Sequence, residues 1–113
     1  MTSRRRLDEV TVDRAAKAVA DAFGECPERL LGRSRDGRLP EARFALYTLL
    51  REVGDDATLS AIGRLLGRDH ATIAAGLLRS RELASTYLDY AERLAASRSL
   101  FAGHARPARW PWL

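Results

Sequence analysis

Cysteine occurs once in the 113 residues, at Cys26, so no intramolecular disulfide can form. With only two histidines beside it, His70 and His104, it does not make a zinc site, and no metal or other cofactor is expected. No apolar run approaches the roughly 18–20 residues of a membrane span. Arg4-Arg5-Arg6 leads into Leu7-Asp8-Glu9, not into the hydrophobic core of a secretion signal. A cytoplasmic protein with no membrane partner is the expectation. A phosphate-binding loop of the Gly-x-x-x-x-Gly-Lys-Ser/Thr type is missing, so no nucleotide is expected. Two distant histidines and no paired carboxylates leave little for catalysis, so the chain does not read as an enzyme. Lysine is scarce too: of 19 basic residues only Lys17 is one.

What is abundant is arginine and apolar surface. Hydrophobic residues make up 46% of the chain, enough for one small domain with a core. The formal charge is +4, and its distribution matters more than its size. From Arg29 to Arg51 six arginines face Asp36 and Glu41, and from Arg64 to Arg81 four arginines face Asp69. Basic charge gathered in two segments suits a surface that meets phosphate.

The apolar spacing is helical throughout, with no period-two run, and predicts an all-α domain of five to six helices. A first helix is expected over Val12 to Phe23, capped by Thr11, and a single turn over Pro27 to Leu31. Gly32 to Leu39, with two glycines and three arginines, reads as a basic loop. The third helix, from near Pro40 to Val53, is apolar around much of its circumference and is expected at the centre. Thr58 caps a short helix ending at Leu66, Gly67 makes a turn, and Arg68 or Asp69 opens a helix over about His70 to Leu83. Short helix, glycine turn, second helix is the helix-turn-helix pattern. A last helix is expected over Ala84 to Phe101. The division is therefore an N-terminal arm over 1–11, the domain over 12–101, and a tail over 102–113 in which Pro107 and Pro111 bar a helix.

Leu59-Ser60-Ala61-Ile62-Gly63-Arg64-Leu65-Leu66-Gly67-Arg68-Asp69-His70-Ala71-Thr72-Ile73 resembles the signature of the C-terminal DNA-binding domain of DnaA, the bacterial replication initiator. Gly-Arg-Asp-His at the start of a recognition helix is its most specific part. Ala42-Arg43-Phe44-Ala45-Leu46-Tyr47 is similar to the family's Arg-Gln-Ile-Ala-Met-Tyr helix, and Arg33-Ser34-Arg35 lies where the family has its basic loop. The resemblance covers about residues 12 to 83, without the ATPase domain of the full-length initiator. It implies a double-stranded-DNA binder whose recognition helix, beginning near Asp69-His70, reads the major groove while the loop Arg33 to Arg38 reads the minor groove.

By that resemblance Arg35, with Arg33 next, is the minor-groove arginine, and Arg43 a phosphate contact. Asp69, His70, Ala71 and Thr72 occupy the turn that meets base edges. Asp69 can accept from a cytosine amino group or simply cap the helix, and both roles are compatible. Arg68, Arg79 and Arg81 suit phosphate contacts; Arg79 and Arg81 equally suit a solvated helix surface. The family's Gly-Gly is Leu66-Gly67 here, its threonine after histidine is Ala71, a histidine further along is Ala75, and its Leu-Pro is Leu59-Ser60. These departures bear on whether the DnaA-box sequence is the one read.

Two functions fit. One is a sequence-specific DNA-binding regulator of transcription or replication. The other is a DnaA-like interaction module with relaxed DNA reading, whose tail, carrying Trp110 and Trp112, binds a protein partner. The tail equally suits packing back on the domain.

Overall fold

The computed structural model describes residues 7–54 and 56–103, and the tail from His104 onward lies outside them. Six helices follow one another among the described residues: α1 Glu9–Phe23, α2 Pro27–Leu31, α3 Leu39–Val53, α4 Leu59–Leu66, α5 His70–Thr86 and α6 Leu88–Phe101. The described residues contain no β-strand pairing of two runs and no helix long and apolar enough to cross a membrane.

The first helix starts three residues earlier than its apolar spacing suggests, inside the segment expected as an arm. Asp8, in an extended conformation, caps it by accepting from the Thr11 N–H at 2.8 Å. Thr11, expected as the cap, is instead buried in the first turn. A carboxylate at this position satisfies an orphan amide and also complements the helix dipole, which a hydroxyl does only in part. Pro27 stands at the first position of α2, where its missing N–H costs nothing.

The third helix is the hub. It touches each of the other five, and Leu39, Ala42, Ala45, Leu46, Tyr47, Leu49 and Leu50 are all buried along it. Its apolar circumference follows from that position. Helix α1 lies between α3 and α6, with Val12, Ala15, Ala16, Val19 and Phe23 inward. Where α5 crosses α3, Gly76 makes room for a ring: a Cβ there would lie 2.7 Å from Cε2 of the buried Tyr47 and 3.3 Å from Cδ1 of Phe44.

The boundary between the last two helices is displaced from the expected one. Helix α5 continues through Leu83 and Ala84 to Thr86, and the break falls at Tyr87, which is extended at φ −121°, ψ 116°. No glycine or proline stands near Leu83 to stop the helix, and Leu83 continues the buried series Ile73, Gly76, Ser80. Beyond the break, the chain folds back so that the Tyr90 hydroxyl meets the Ser80 hydroxyl at 2.7 Å, both buried. Tyr90 also packs edge-on against Phe23, with ring centroids 5.7 Å apart.

Candidate nucleic-acid interface

The turn between α4 and α5 is closed by two glycines. Gly67 adopts φ +66°, in the left-handed region that costs a glycine nothing, and donates to the Gly63 carbonyl. Arg68 donates its own N–H to the same carbonyl at 2.8 Å. Gly63 faces the Arg68 carbonyl oxygen so closely that a Cβ would lie 2.5 Å from it. Asp69 then caps α5, its carboxylate accepting from the Ala71 N–H at 3.3 Å, while its other oxygen lies 3.6 Å from His70 Nδ1. Asp69, His70, Ala71 and Thr72 are all exposed, and Ile73 behind them is fully buried. The first turn of α5 therefore stands out from a rigid support.

The basic loop, residues 32–38, lies beside this turn. Arg33 and Arg35 are exposed and have no ion-pair partner among the described residues. Between them Ser34 accepts from Arg29 at 3.2 Å, and Arg29 also pairs with Asp36 at 2.9 Å.

Arg43 takes a different place from the one its alignment suggests. Instead of facing outward from the start of α3, it is 8% exposed and turned under the loop. Its guanidinium donates to the carbonyls of Leu30 at 2.9 Å, Arg29 at 2.8 Å, and Ser34. Burial pushes its pKa down, and the charges of Arg68 and Arg35 add to this. Arg68 likewise turns inward and donates to the Gly32 carbonyl. Nothing in the sequence distinguishes these two arginines from the exposed ones. Only the arrangement of loop carbonyls around them does.

Arg33, Arg35, Arg43, Arg68 and Thr72, with Phe44 and Tyr47, line one open cavity of about 530 Å³, and no acidic residue among the described residues lines it. The site thus brings together the loop and the recognition turn. Two expected members lie elsewhere. Arg38 pairs with Glu41 at 3.4 Å and with Asp89 of α6, and its guanidinium sits 5.9 Å from the centre of the Phe23 ring. Burial alone lowers its pKa, but Asp89 and Glu41 outweigh that and hold it above the ordinary value. Arg79 is ion-paired with Glu82 at 3.3 Å and borders the same acid-containing cleft as Arg38. Counting from Thr72, it is two helical turns along the same side of α5.

No cluster of three or more histidine, cysteine or acidic side chains that could hold a metal ion occurs among the described residues. The sequence model of the family described as the bacterial DnaA protein helix-turn-helix matches residues 12–79. That span runs from α1 through the basic loop and α3 to the middle of α5, and so contains every residue of the concave surface.

Proposed function

The chain belongs to the bacterial DnaA helix-turn-helix family of DNA-binding domains, a module without catalytic chemistry, and on that footing we propose that it binds double-stranded DNA sequence-selectively. The observation that carries this reading is the adjacency of an exposed recognition turn and two exposed loop arginines across one surface that, among the described residues, holds no acid and pairs neither arginine. In this reading the first turn of α5 enters the major groove. His70 meets a base edge, Thr72 a base or phosphate, and the Ala71 methyl packs on a thymine methyl. Asp69 caps the helix, and its second oxygen, exposed beside His70 Nδ1, accepts from a cytosine amino group. Arg35, with Arg33, reaches the adjacent minor groove, whose negative potential is strongest where it is narrow.

Arg79 is the outer phosphate contact, further along the side of α5 that Thr72 occupies. Arg43 and Arg68 serve the site by holding the loop. Arg38, committed to Glu41 and Asp89, fastens the far end of the loop to α6. Control of transcription or replication from the bound DNA, in the cytoplasm, is the role this implies. The test is binding to a selected DNA site. His70→Ala abolishes selectivity at the part of the site read by α5, and Arg35→Ala weakens binding by about 1–3 kcal/mol and relaxes one flank of the site. If neither change alters affinity or preference, the reading fails.

A further inference from the structure

The residues that read DNA in this account sit on two separate elements, and one is an irregular loop. A loop has many conformations, whereas base reading needs a contact held to a fraction of an ångström. Arg38 fastens the far end of this loop, and the stretch around Arg33 is fixed by a pair of arginines from elsewhere in the domain. Arg68 precedes the cap of α5 by one residue, and its side chain reaches the carbonyl of Gly32, the residue before Arg33. Its backbone is itself immobilised by its hydrogen bond to Gly63 and the close seat of its carbonyl on that glycine. Arg43 approaches from α3 and takes the Ser34 carbonyl, the next residue after Arg33, together with those of Arg29 and Leu30. The loop is therefore pinned on both sides of Arg33, at one point to the helix-turn-helix turn and at the other to the central helix.

At Arg43 only a guanidinium can do this, since its forked donors serve three carbonyls in a fixed geometry. Arg68 makes one such bond, to Gly32, from a long, planar group, where an ammonium would be a single flexible point. Burial first, and the nearby charge of Arg68 second, hold the Arg43 pKa below its ordinary value.

We propose that Arg68, backed by Arg43, sets the separation between the two DNA-reading elements, making the spacing between the minor-groove and major-groove parts of the DNA site a property of this hydrogen-bond set. Arg68 is thus a positioning residue. The inference rests on the two-element reading above.

The experiment uses the full chain and the DNA site selected from a random pool. Binding is measured to that site and to versions with one base pair inserted or removed between the loop-side and helix-side determinants. One base pair moves them by about 3.4 Å along the duplex. Wild type should lose at least about tenfold in affinity on either change, the cost of one misplaced base contact. Arg68→Lys keeps the charge but not the reach and planar geometry that meet the Gly32 carbonyl, and should bind all three spacings within about threefold of each other while keeping the salt dependence of wild type. Arg68→Gln serves as a second variant, with thermal unfolding to show that it folds. A wild type indifferent to spacing overturns the proposal without any variant. So does an Arg68→Lys protein that discriminates spacings as wild type does, or an Arg68→Gln protein that loses affinity equally on all three with a shallower salt slope, which marks a simple phosphate contact. If wild type selects no sequence at all, it is the two-element reading that falls, and the proposal with it.

Discussion

Gly63 has no room for a methyl group, because a Cβ would meet the Arg68 carbonyl at 2.5 Å. The obstacle is backbone on the far side of a tight turn, so it cannot swing away as a side chain would. Gly63→Ala gains a better helix former but forces the turn open, and a net loss of about 1–3 kcal/mol in denaturant unfolding is expected. Tyr90 makes a second prediction at this scale. Its hydroxyl and that of Ser80 satisfy each other in the core at 2.7 Å. Tyr90→Phe strands the Ser80 hydroxyl and should cost about 1–3 kcal/mol. Burial also pushes the Tyr90 pKa up to about 12 from an ordinary 10.0, against a smaller opposing effect of the Ser80 hydrogen bond. In the unfolded chain this phenol ionises near 10 and in the folded chain only near 12, so between those values the unfolded state sheds its proton more readily. Stability of wild type therefore falls as pH rises through that window. Tyr90→Phe lacks this loss, and the gap between the two proteins narrows on titration to high pH, as thermal unfolding at a series of pH values will show.

Each helix end has a local cause, and the ends differ in how plainly the sequence shows it. Pro27, Thr58, Gly67 and Asp69 act where their chemistry says they should, because a cap or a left-handed turn depends on one residue and its immediate neighbours. The start of α1 and the break at Tyr87 do not. Asp8 and Thr11 are both competent caps, and burial of Thr11 decides between them. At Tyr87 no breaker marks the chain; the break exists because Tyr90 must turn back onto Ser80 and Phe23, which is a tertiary requirement. At this scale Asp69→Ala is expected to destabilise α5 by about 0.5–2 kcal/mol, measurable as a lowered unfolding midpoint. The same variant reports on function. If Asp69 only caps, DNA preference is unchanged once the loss of stability is allowed for. If it also accepts from a cytosine amino group, the preference at one base pair relaxes.

The candidate site was legible in the sequence as a motif and a charge distribution, not as an arrangement. Gly67 to Ile73 is a local signal, and the structure places its polar residues outward on a buried footing. The arginines could not be sorted by sequence, since what turns one under is the set of loop carbonyls that only the fold gathers around it. Sorting them takes the fold: Arg33 and Arg35 face out, Arg43 and Arg68 turn under, and Arg38 is drawn to α6 by Asp89.

The charge pattern yields a prediction for the whole molecule. Removing both outward arginines, Arg33→Ala with Arg35→Ala, should lower the slope of log affinity against log salt by about 1–2. Arg51→Ala, whose guanidinium is occupied with the Ala57 carbonyl on another part of the surface, should leave that slope alone.

The most direct test of the account is to let the protein choose. Selection of bound molecules from a random pool of double-stranded DNA, followed by sequencing, should enrich one short motif with two parts. His70→Ala should erase the part read by α5, and Arg35→Ala should relax the part read by the loop. A pool that stays random after repeated selection, or a motif that both variants select unchanged, would contradict the claim that this surface reads DNA sequence.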